Sequence, residues 1–153
     1  MPEINMFCDI FSQTGYASHG RQLVNAIYKQ NPTIHIECLK PQDWVRYVNT
    51  AEMNMINSEP FKNGHCVAIQ LPPYWKLFLS DKPKSFTGYV IWEGINIPKY
   101  WCPILDDNRV TNVIVPSKHT YDAIFNTYKP KNPSKFKIIS HGVDLKLFSP
   151  KKQ

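Results

Sequence analysis

Residues 86–128 read FTGYVIWEGINIPKYWCPILDDNRVTNVIVPSKHTYDAIFNTY, and the fold turns on how this stretch divides. FTGYVIW from Phe86 and VTNVIVP from Val110 are apolar runs of strand length. Strands covered on both faces of a parallel sheet must be apolar on nearly every residue, and these two come close to it. Behind the second run Ser117 is a good N-cap, and Tyr121, Ile124, Phe125 and Tyr128 follow at helical spacing on one face. A further helix is predicted from about Pro98, carrying Tyr100, Trp101, Ile104 and Leu105. Pro103 costs it a backbone hydrogen bond and introduces a clash, so it should be short or kinked.

The same alternation extends in both directions. INMFCDIF from Ile4, TIHIECL from Thr33, HCVAIQL from His65 and KFKIIS from Lys135 are further strand-like runs. A helix is expected after Ser18, with Leu23, Val24, Ile27 and Tyr28 on one face and Asn31-Pro32 as its stop. Residues 40–64 and 72–85, rich in Pro, Asn, Ser and Lys, read as loops with at most short helices. There is no internal repeat and no low-complexity tract. Strands alternating with helices over 153 residues predict one α/β domain with a single Rossmann-like, doubly wound, mainly parallel sheet flanked by helices. Ligands of such sheets sit beyond the carboxyl ends of the strands.

Composition narrows the function classes. A hydrophobic content of 42% with 20% charged residues excludes a disordered chain, and no stretch approaches the ~20 apolar residues of a membrane span. MPEINMFCDI shows no basic region ahead of an apolar run, which predicts a cytoplasmic protein, at most peripheral to a membrane. The net charge of +6 resides in residues 129–153, which hold seven Lys and one Asp, while residues 1–128 are neutral. A basic terminus on a neutral body reads as a solvated end, and no nucleic-acid motif accompanies it. In Pro72-Pro73-Tyr74-Trp75-Lys76-Leu77-Phe78-Leu79, Trp75, Leu77 and Phe78 are expected to pack on the sheet, so no stable membrane attachment is expected. Cys8, Cys38, Cys66 and Cys102 form no CxxC pair and read as reduced, structural thiols.

Four strand ends carry candidate chemistry. Ser12-Gln13-Thr14-Gly15-Tyr16-Ala17-Ser18-His19-Gly20-Arg21 follows the first run, and small residues at a strand-to-helix turn let backbone amides approach an anion. The alternative is a tight turn that needs Gly15 for its backbone angles and Gly20 for close helix packing. Glu93, in Trp92-Glu93-Gly94, either accepts a hydrogen bond from a sugar or alcohol hydroxyl or caps the next turn. Ser117 is a helix cap or a ligand contact. His141-Gly142-Val143-Asp144 is catalytic or a turn leaving the domain. His35-Ile36-Glu37 lacks the PCxxC of a zinc deaminase, and no metal site is expected; Asp106-Asp107 reads as a polar helix end.

Taken in order, YVIWEGINIPKYWCPILDDNRVTNVIVPSKHTYDAIF from Tyr89 and IISHGVDLKLFSP from Ile138, with SQTGYASHGRQL near the start, resemble the amino-terminal domain of retaining GT-B-fold glycosyltransferases, especially glycosyltransferase family four. The resemblance runs through most of the chain. It implies one half of a GT-B fold, with residues 1–140 as an acceptor-binding domain and 141–153 as an interdomain linker or basic tail. It places Gly15 at the donor phosphates, with Tyr16 beside it as a substrate-binding residue, Glu93 as the catalytic residue near the reacting sugar, and Ser117 on the substrate-binding "vpS" serine. His141, Gly142, Val143 and Asp144 become the hinge. The implied substrates are a nucleotide-sugar and a sugar, lipid-linked or protein acceptor, with no metal or other cofactor. A donor-binding domain, in the same chain or another, would complete the enzyme, because the family's paired glutamates lie outside these 153 residues. The other reading is a non-catalytic Rossmann-like module that binds a nucleotide, glycan or protein.

Overall fold

The structure, a computed structural model, describes residues 1–38 and 48–142. Its centre is a six-stranded, wholly parallel sheet in the order β2-β1-β3-β4-β5-β6, which joins β1 (Ile4–Cys8), β2 (Ile34–Glu37), β3 (His65–Ile69), β4 (Ser85–Tyr89), β5 (Asn112–Val115) and β6 (Phe136–Ile138). Every strand falls inside an apolar run of the sequence except β4, which begins one residue early at Ser85. The order reverses at β1, with β2 on one side and β3 on the other, so the switch point where such sheets bind ligands lies between β1 and β3.

The register sorts the side chains into two faces. On one, Met6, Cys8, Ile34, Ile36, Ile69 and Tyr89 pack under Val24, Leu23, Ile27 and Tyr16 of α1 (Gly15–Gln30). On the other, Phe7, Cys66, Ala68, Phe86, Val113, Val115 and Phe136 form the larger core. That core is closed by Trp75, Leu79, Trp101, Ile104, Leu105, Ala123 and Ile124 from α3 (Lys76–Leu79), α4 (Cys102–Leu105), α5 (Lys118–Thr127) and the 3-10 turns Pro72–Trp75 and Lys99–Trp101. Away from α1, the first face carries Ser85, Thr87, Asn112 and Lys137, which are polar because no described helix covers them.

Some local expectations are corrected and others hold. Thr14, not Ser18, caps α1: its hydroxyl accepts from the Ala17 amide at 3.2 Å, and the helix begins one turn earlier than expected. Gly15 opens the helix with no positive φ, so its backbone angles do not demand glycine. Gly20 does pack closely, since a β-carbon there would stand 2.7 Å from the Asp9 carbonyl. Within 40–64 an eight-residue helix, α2 (Thr50–Asn57), forms behind a capping box in which Asn49 and Glu52 bond each other's amides. Pro103 lies at the start of α4, where a missing N–H costs little, and the segment is split into two short turns. Trp75 is fully buried and Phe78 half-buried, but Leu77 is 58% exposed because α3 is one turn long and covers the sheet with Leu79. No described helix is long and apolar enough to cross a membrane.

All four cysteines are free thiols. Burial pushes Cys38 and Cys66 up to about 12 and Cys8 well above its ordinary value, so they stay protonated and unreactive.

Candidate functional site

The turn between β1 and α1 is held from within. The Asp9 carboxylate accepts the amides of Phe11 and Ser12 at 2.9 and 3.1 Å and also the Ser12 hydroxyl. From the helix, the Arg21 guanidinium donates to the carbonyls of Ile10 and Ser12 at 3.1 and 2.8 Å. With Thr14 satisfying Ala17, the amides of Gly15 and Tyr16 are left without a described acceptor. They sit at the positive end of the helix dipole. A β-carbon at Gly15 would meet nothing within 4 Å, so the space above these amides is open.

The Tyr16 hydroxyl donates to the Ile91 carbonyl at 2.9 Å and ties α1 to the segment beyond β4. Burial and the nearby Glu93 charge raise the Tyr16 phenol, which keeps it a neutral donor. The segment that carries Glu93 is fixed from α5: Thr120 Oγ1 donates to the Trp92 carbonyl at 3.0 Å, and His119 Nε2 donates to the Glu93 carbonyl at 3.0 Å. Trp92 Nε1 closes the loop on the Asn96 carbonyl at 2.8 Å. The Glu93 carboxylate itself is exposed and has no described partner.

The third component arrives beyond β6. The Tyr89 hydroxyl donates to the Ile139 carbonyl at 3.2 Å, and His141 folds back so that its ring lies 4.2 Å from that of His19 and stacks on Tyr89 at 5.7 Å. Nε2 of His19 is buried without a hydrogen bond, and burial, with His141 adding a smaller effect, lowers its pKa to about 4. His19 is therefore a neutral ring.

Gly15, Tyr16, Glu93, His141 and Gly142 line one open cleft of about 470 Å³, together with Ser18, His19, Gln22 and Ile91. Ser117 is not among its lining residues. It caps α5, accepting the Thr120 amide at 3.2 Å, and reaches the site only through Thr120, which holds Trp92. Val143 and Asp144 lie outside the described residues. Sequence reasoning assigned no role to His19 or Gln22, although helical spacing from Gly15 and Ser18 places both on the same flank of the first two turns. Among the described residues, no group of three or more His, Cys, Asp or Glu side chains is placed to hold a metal ion.

Chemically, the cleft offers two amides without a described acceptor, a phenol, a carboxylate and two imidazole faces, of which that of His19 is neutral. This set suits hydroxyl-rich or anionic ligands. No family model, curated protein or solved structure matches the chain.

Proposed function

We propose that the chain is the acceptor-side domain of a GT-B glycosyltransferase. The observation that carries this reading is the convergence of Gly15-Tyr16, Glu93 and His141-Gly142, from three strand ends far apart in sequence, on one cleft. In it, Glu93 positions the acceptor hydroxyl, and the amides of Gly15 and Tyr16 stabilise negative charge on the departing nucleotide phosphate. Catalysis then consists of holding the acceptor oxygen and the anomeric carbon in reacting geometry and favouring the charge that develops. The donor is gripped by a second domain, and the segment from His141 is the hinge between the two.

The test is a titration of residues 1–153 with uridine and guanosine diphosphates, followed by amide chemical shifts, beside a transfer assay. Millimolar binding with shifts at Gly15, Tyr16 and Glu93 is expected, worth about 4 kcal/mol, with no turnover of nucleotide-sugar. Micromolar affinity without transfer, even when a donor domain is supplied, would favour a binding module. In a polypeptide carrying that domain, Glu93→Gln should lower turnover by about tenfold or more, or ~1.4 kcal/mol of barrier, with melting unchanged. Wild-type turnover would reduce Glu93 to a turn residue.

A further inference from the structure

A second cavity, of about 330 Å³, lies on the sheet face away from α1, between residues 60–62 and the turn at 81–83. It shares no residue with the cleft. Its floor is the registered pair Asn5 and Cys66 of β1 and β3. One wall is Phe61, whose backbone is clamped at both ends: Asn5 Nδ2 donates to its carbonyl at 2.9 Å, and its amide donates to Asn5 Oδ1 at 3.0 Å. Gly64 permits this clamp, since a β-carbon there would stand 2.9 Å from Phe61 Cβ and 3.0 Å from Asn5 Nδ2. The opposite wall is Phe78, its ring 3.4 Å from that of Phe7. The backbone of the first wall and the ring of the second are thus held in place.

The charge of the described lining residues is net negative. Glu37 and Asp81 line the cavity and form no ion pair with any described residue, while Lys62 is the one cation among the described lining residues. Cys66 on the floor is a buried residue, 4% exposed, and its thiol has no described hydrogen-bond partner. After burial itself, the charges of Glu37 and Asp81 are what raise its pKa, so both carboxylate fields reach the cavity floor. An apolar, aromatic-walled cavity of this volume under a net negative field selects a ligand with an apolar body and a cationic head.

We infer that this cavity binds a small organic ammonium ion, with its apolar body against Phe61, Phe78 and Cys66 and its charge toward Glu37 and Asp81. The inference does not depend on the glycosyltransferase reading, because a ligand here touches none of the cleft residues.

Three probes of one shape and different charge test it: benzylamine, benzyl alcohol and benzoate, titrated into the chain while amide shifts are followed. Benzylamine should bind saturably near 1 mM and shift Asn5, Phe61, Lys62, Cys66 and Phe78 but not Gly15 or Glu93. The alcohol should bind about tenfold more weakly, and benzoate should not bind. Glu37→Gln and Asp81→Asn should each weaken benzylamine by about threefold, the scale of one exposed charge pair, whereas Lys62→Ala should strengthen it. All three sites are at the rim, so unchanged melting is expected and confirms that the fold survives. Equal affinity for amine and alcohol, no saturable shift, or variants that leave the amine's affinity unaltered would each overturn the inference.

Discussion

The indole of Trp75 lies flat against the backbone of Gly88 in β4, so that a β-carbon at Gly88 would overlap its Cη2, Cζ2 and Cζ3 atoms. The ring cannot withdraw, because its Nε1 donates to the Gln70 carbonyl at 2.8 Å and the side chain is fully buried beside Phe86. Glycine inside a strand is unfavourable in itself; here it makes room for one of the two buried tryptophans of the core.

Gly88→Ala should therefore destabilise the protein by about 3 kcal/mol, the upper range for overpacking, and lower the melting temperature by roughly 10 °C. Trp75→Leu is damaging alone, but in the double variant the Gly88→Ala cost should shrink by more than ~1 kcal/mol. Additive losses would mean that the two residues do not meet.

His19 predicts how stability responds to acid. Burial, then His141, holds its pKa at about 4, below the ordinary 6.5. Between these values the unfolded chain takes up a proton that the folded ring refuses. This contribution is fully present above pH 6.5 and is lost as the pH falls toward 4. The ring is half-buried, so solvent screening leaves on the order of 1 kcal/mol, or about 2–4 °C in melting temperature. His19→Phe keeps a ring in the stack and removes the titration. Its melting temperature should gain on the wild type by that amount between pH 7 and pH 4; a constant difference across the range would discard the account.

How far the sequence revealed this arrangement differs by element. The strands were legible because covered parallel strands need apolar runs, and Asn31-Pro32 and Ser117 marked helix ends by ordinary capping chemistry. The sequence points to Ser18, a competent cap by residue type, as the start of α1, whereas Thr14 holds the cap one turn earlier. The choice was made by the Asp9 carboxylate and Arg21, which complete the turn at residues 9–14 before Ser18 is reached. The Asn49-x-x-Glu52 signal of α2 was present in a stretch otherwise read by its composition. Of the cleft, Gly15, Tyr16, Glu93, His141 and Gly142 could be chosen at strand ends. The His19–Tyr89–His141 stack could not, because it depends on the chain folding back beyond β6.

The two glycines at the start of α1 should respond in opposite ways. Gly20→Ala would place a methyl group 2.7 Å from the Asp9 carbonyl and 3.3 Å from Cys8 Cβ, and should cost about 1–3 kcal/mol. Gly15→Ala meets nothing and replaces a poor helix former, so stability should be unchanged or rise by a few tenths of a kcal/mol. Gly15→Val should also fold, yet it fills the space above the free amides and should abolish the nucleoside diphosphate shifts at Gly15 and Tyr16. Undiminished shifts in that variant would remove this turn from phosphate binding.

Ser117 distinguishes a capping role from direct ligand contact. Its hydroxyl accepts the Thr120 amide at 3.2 Å, and Thr120 in turn holds the Trp92 carbonyl next to Glu93. Ser117→Ala should cost about 1 kcal/mol through the lost cap and should shift the Trp92 and Glu93 amides without any ligand present. Ser117→Asp restores an acceptor of the right length and adds a charge favoured at a helix N-terminus, so stability and the loop shifts should return to wild type. If Ser117 acts only through this chain of contacts, the aspartate variant should bind nucleoside diphosphates as the wild type does. Restored stability with binding still lost would instead show that the serine hydroxyl itself meets the ligand, as the resemblance to the glycosyltransferase "vpS" serine implies.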